Sequence, residues 1–76
     1  MGITATNILE VTNSEHTDLG PTTGFIVSGS SISGDITTRD GNVITLGNGF
    51  PTEFIPCSIS EADSNNATTH ILVFQY

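Results

Sequence analysis

The sequence predicts a single all-β domain, a small sandwich or barrel-like fold of about six short strands. Three observations predict it. Thr, Ser, Gly and Ile dominate, and apolar residues recur at a spacing of two rather than three or four. Turn residues such as Gly20-Pro21, Asp40-Gly41 and Gly47-Asn48-Gly49 separate the apolar runs. A chain of 76 residues has room for one core only, and no internal repeat or second domain is visible.

The strands are expected near residues 8–12, 23–28, 32–39, 42–47, 55–60 and 69–76, after an extended N-terminal arm over 1–7. In GFIVSG, Phe25 and Val27 alternate with polar neighbours. In DITTRDGNVITLG, Asp40-Gly41 lies between two β-rich segments, and this pair favours the positive φ angles of tight hairpins. A hairpin over residues 35–46 follows, with Val43 and Thr45 on one face of its return strand and Ile44 and Leu46 on the other. Gly47, Asn48, Gly49 and Pro51 break the pattern, and Phe50 and Phe54 beside the break plug the core or a subunit contact. Ile55, Cys57 and Ile59 alternate with Pro56, Ser58 and Ser60, as in a half-buried strand. SEADSNNATT reads as a polar loop. The last segment, HILVFQY, is apolar on both faces, which suits a strand covered on both sides. One row holds His70, Leu72, Phe74 and Tyr76, and the other holds Ile71, Val73 and Gln75. One row is expected to pack inside the subunit and the other to bury a subunit contact.

Composition narrows the function. Arg39 is the only basic side chain against eight carboxylates, a net charge of −7. Binding nucleic acid requires cations that displace counterions from the phosphates, so nucleic acid is excluded as a partner. Anionic membrane surfaces are excluded by the same charge balance. No run approaches the roughly 20 apolar residues of a membrane span, and MGITATNILEV lacks the basic region of a signal peptide. Synthesis in a reducing cytoplasm is expected. A domain this small buries only about 60% of its unfolded surface, and Cys57, the only cysteine, allows no intrachain disulfide. Support from a homo-oligomer or a larger assembly is therefore expected.

The residue types of hydrolytic sites occur together in NSEHTDLG, which holds Ser14, Glu15, His16 and Asp18. Neighbours on an extended segment point to opposite sides, however, and Asn, Ser, Thr and Asp are also the residues that bond their own backbone in turns. The segment reads as a structural or contact loop, and no catalytic residue is assigned. His16 and His70 show no metal-binding spacing. Glu61, Asp63 and Asn65 resemble the start of a calcium loop, but Asn66 and Leu72 stand where that motif needs Gly and Glu. No metal, no cofactor and no enzymatic activity are expected. Asn66-Ala67-Thr68 is a glycosylation sequon without a secretory signal to give it weight.

The order of the segments carries a further indication. VTNSEHTDL is followed by GFIVSGSSISGDITTRDGNVITL, a Gly/Pro break, FIPCSIS and a terminal NATTHILVFQY. This order resembles the small spike-base proteins on the heads of gene transfer agents and related tailed bacteriophages. The likeness runs from Val11 to Tyr76. It rests on Thr17-Asp18-Leu19, Gly34-Asp35-Ile36, Asp40-Gly41, Ile55-Pro56 and Thr68-Thr69. The chain departs from the pattern in SNNA before the final Thr pair and in the break GNGFP. The resemblance implies a noncatalytic virion protein on the outer head surface, a spike base or head decoration subunit. Its partner would be the major capsid protein or another virion protein. Phe50, Phe54, Leu72, Phe74 and Tyr76 are the candidate subunit or capsid contacts. The alternatives are a small carbohydrate-binding β module, for which the chain has no Trp, and a tail or neck accessory protein.

Overall fold

Two antiparallel sheets face each other across one apolar core in the computed structural model, which describes residues 5–76. In chain order the strands are β1 (Asn7–Thr12), β2 (Glu15–His16), β3 (Thr22–Gly29), β4 (Gly34–Thr38), β5 (Val43–Leu46), β6 (Ile59–Ser64) and β7 (Thr69–Gln75). The first sheet has the order β1-β7-β3 and the second β2-β6-β4-β5. The fold is therefore an all-β sandwich. Of the arm expected over 1–7, residues 1–4 lie outside the described residues, and Asn7 already begins β1.

Alternation decides which side chains enter the core. Val11 of β1, Phe25 and Val27 of β3, and Ile71 and Val73 of β7 are all fully buried. The registers Val11↔Ile71↔Val27 and Val73↔Phe25 place them on one face of the three-stranded sheet. The second sheet answers with Ile36, Leu46, Ile59 and Ala62, while Leu19 and Ile32 enter from the connections. The last strand thus lies at the centre of its sheet, with Ile71 and Val73 as its core row.

The sixth strand differs from its expected place. Over 55–58 the only ladder contact is the pair Phe25↔Ile55, with N–H···O distances of 3.1 and 2.8 Å. Pro56 has no N–H, so the ladder cannot continue through it. The expected alternation of burial is nonetheless present: Ile55 and Cys57 are half-buried, and Pro56 and Ser58 are exposed. The regular strand begins at Ile59 and takes in the SEADS of the segment read as a loop. Its register jumps between Thr37↔Glu61 and Thr38↔Ile59, so Ser60 is an extra residue in a bulge. Odd positions point inward before the bulge, and even positions, Ala62 and Ser64, point inward after it. This change of phase hides the strand from a reading at fixed period.

The hairpin is present, with β4 and β5 paired from Gly34↔Leu46 to Thr37↔Val43. Its turn differs in detail from a two-residue Asp-Gly turn. Thr38 N–H donates to Asn42 O at 2.8 Å, and Gly41 N–H donates to Thr38 O at 3.0 Å. The loop is therefore Arg39-Asp40-Gly41, with only Gly41 at positive φ, 96°. Replacing Gly41 by Val should cost about 1 kcal/mol or more, because a β-branched residue resists that conformation. Thermal denaturation of Gly41→Val checks this, and an unchanged melting temperature would contradict the assigned turn.

Polar ties join the two sheets at both ends of the sandwich. Thr22 Oγ1 accepts the Ile59 N–H at 2.8 Å. At the other end, buried Thr69 accepts the Ser33 N–H at 2.9 Å and donates to Asn66 Oδ1 at 2.6 Å. Thr68 donates to Ser31 O at 2.6 Å, and buried Ser64 donates to Thr69 O at 2.7 Å. No buried side-chain nitrogen or oxygen among the described residues lacks a partner. The sequon asparagine therefore serves a packed polar knot between the β3–β4 and β6–β7 connections.

Candidate contact surfaces

The Ser, Glu, His and Asp of NSEHTDLG are not brought together. Asn13 and Asp18 adopt positive φ, 49° and 57°, and between them Glu15 and His16 pair with Asp63 and Ala62 of β6. The segment is thus a very short edge strand between two turns, where only a loop was expected. Glu15 lies on the outer face of its sheet and half-buried His16 on the core side, because sheet residues alternate. No side-chain hydrogen bond among the described residues links any two of Ser14, Glu15, His16 and Asp18. Backbone bonds dock the segment instead: Ser64 N–H donates to Ser14 O at 2.9 Å, and Leu19 N–H donates to Ser60 O at 3.0 Å.

The outer face of the four-stranded sheet is acidic. Cross-strand pairing sets Glu15, Asp63, Asp35 and Thr45 in one row, each from a different strand. Glu61, Thr37 and Val43 form the next row. Four of the eight carboxylates therefore share one face with no cation among them. Like charges directly opposite each other repel, so this face is held by the core beneath it. No three His, Cys, Asp or Glu side chains among the described residues are grouped so that they could hold a metal ion.

Arg39, the only basic side chain, is occupied at the hairpin. Its guanidinium donates to Gly20 O and, at 2.8 Å, to Ile59 O. It lines a shallow depression of about 530 Å³ with Thr38, Asp40, Asn42, Cys57 and Ser58. The Thr38 hydroxyl donates to Asp40 at 2.5 Å and holds that carboxyl below the usual carboxylate range. The depression offers a thiol, an acid and a guanidinium already committed to backbone carbonyls. It contains no histidine that could act as a base.

The outer face of the three-stranded sheet is the apolar one. Its rows are Ile8↔Phe74↔Gly24, Glu10↔Leu72↔Ile26 and Thr12↔His70↔Ser28. Phe74 is only 8% exposed because Phe54 closes over it, ring centroids 5.2 Å apart and planes at 84°. The Phe25↔Ile55 pair aims the preceding residue across β3 at Gly24. A Cβ on Gly24 would meet the Phe54 ring at 2.4 Å, so only glycine leaves room for the ring. The outer cover at Phe74 thus comes from the same chain. Phe50 packs against the core, Leu72 is half-buried between Glu10 and Ile26, and Tyr76 is 66% exposed. Of the five candidate contacts, Phe74 is buried, Phe50, Phe54 and Leu72 are half-buried and Tyr76 is exposed, so all but Phe74 keep surface for a partner, and Ile8, 57% exposed beside Phe74, joins them. Ile8 could have been found from sequence only by knowing that β1 pairs with β7.

No protein-family model, curated protein or solved structure was found to match the chain.

Proposed function

We propose that this chain is a noncatalytic structural subunit of a virion, a spike base or head decoration protein on the capsid of a tailed bacteriophage or gene transfer agent. The observation that carries the reading is where the motifs of the resemblance fall in the fold. Asp18 occupies a positive-φ turn and leads into buried Leu19. Gly34-Asp35-Ile36 opens β4, and Asp40-Gly41 turns the hairpin. Ile55-Pro56 crosses between the sheets, and Thr68-Thr69 ties two connections. These motifs build a scaffold and converge on no pocket. The chemistry-bearing side chains are dispersed or bonded to backbone, which favours a part that assembles over one that turns over a substrate. The acidic outer face and the engaged Arg39 suit a protein that stays off packaged DNA.

The test is to purify particles from a producing strain and label them with an antibody against this chain. The expected result is labelling of heads, with the chain present in a fixed ratio to the major capsid protein. Detection of the chain only in the particle-free lysate would overturn the proposal.

A further inference from the structure

We propose that the outer face of the three-stranded sheet is a self-association surface on which a second copy of this chain docks about a two-fold axis. The inference rests on reading the chain as an assembly subunit, and the charge distribution selects the face. A copy approaching the four-stranded sheet would set Glu15, Asp35, Glu61 and Asp63 against further carboxylates. The chain has only Arg39 to neutralise them, and Arg39 is held by Gly20 O and Ile59 O. Among the residues that β1, β7 and β3 turn to the opposite face, Glu10 is the one carboxylate, and the imidazole of His70 lies next to it at 2.9 Å. A two-fold contact uses the same patch on both copies, so a patch must complement itself. Glu10 is already bonded to His70 within each copy, so this face brings its sheet carboxylate to the contact with a hydrogen-bond partner in place, while Ile8, Ile26 and Leu72 supply the apolar contact around the pair. A head-to-tail ring would instead need a second, different patch free of uncompensated carboxylates.

The experiment is sedimentation of the purified chain over a concentration series, with Ile8→Asp and Val43→Asp as variants. Val43 is the control, an equally exposed apolar side chain (63%) on the other sheet. Wild type is expected to form a dimer that Ile8→Asp weakens by at least about tenfold, since like charges brought together in an interface are strongly penalised. Val43→Asp should leave it unchanged. An amide NMR dilution series on the wild type needs no variant, and shifts confined to β1, β3 and β7 are expected. A monomer at every concentration, or a dimer lost with Val43→Asp and indifferent to Ile8→Asp, would overturn the proposal. Particle labelling is read separately. A dimer through this face on a chain absent from heads removes the virion reading alone, and a monomer found on heads removes the self-association alone.

Discussion

Phe25→Ala should leave the chain largely unfolded, or folded with only a small margin. Phe25 is the largest fully buried side chain, with no exposed surface, and it packs on the inner face beside Val73. Its backbone also exchanges both hydrogen bonds with Ile55, so it anchors the segment that crosses between the sheets. Truncating a buried Phe to Ala costs about 3–5 kcal/mol from lost transfer energy and the cavity left behind. A domain of this length has a total stability of roughly 4–11 kcal/mol at ordinary per-residue values. One side chain thus carries a large share of the margin, because so small a core has few others to spread the loss over. Urea denaturation followed by circular dichroism measures it. A loss below about 1 kcal/mol, the range of ordinary surface changes and mild core swaps, would place Phe25 outside the core.

The sandwich was legible wherever two residues per repeat held without interruption. In β3 and β7, Phe25, Val27, Ile71 and Val73 alternate cleanly, and each went to the core. In β5 the predicted split of Val43 and Thr45 from Ile44 and Leu46 is the observed one, with Leu46 buried and Val43 exposed. Reading failed where the backbone departed from that period. The bulge at Ser60 moved the inward phase from odd to even positions, so Glu61 and Asp63 looked like loop residues although they are the outer row of β6. Pro56 ended a ladder that the burial pattern alone would have continued.

The candidate surfaces were less legible, for a different reason. Glu15, Asp35 and Asp63 are separated by long stretches of sequence and become neighbours only through the registers of β2, β6 and β4. No local pattern encodes that row. Likewise, the double apolar face of HILVFQY was visible, and so was its need for an outer cover. That Phe54 would supply part of it depended on the single Phe25↔Ile55 pair and on the space above Gly24.

That cover leads to the second large effect. Phe74→Ala should cost about 3 kcal/mol, the lower end for a buried Phe, because one side of its ring is closed only by half-buried Phe54. An edge-to-face aromatic pair adds about 0.5–1.5 kcal/mol beyond the area it buries. A double-mutant cycle with Phe54→Leu and Phe74→Leu should therefore show a coupling of about 1 kcal/mol. The loss should also change the surface. Phe74 floors a depression of about 410 Å³ that Ile8 borders with Ala5, Thr6 and Asn7. Removing the ring deepens this apolar hollow and frees Phe54, giving an exposed patch of the kind that promotes nonspecific association. Phe74→Ala should then aggregate at concentrations where wild type stays dispersed, while Tyr76→Ala, at a position already 66% exposed, should keep wild-type stability. Light scattering and urea denaturation on the two variants separate the roles. Equal stability losses for Phe74→Ala and Tyr76→Ala, or no coupling in the cycle, would mean that Phe54 does not close over Phe74 in solution.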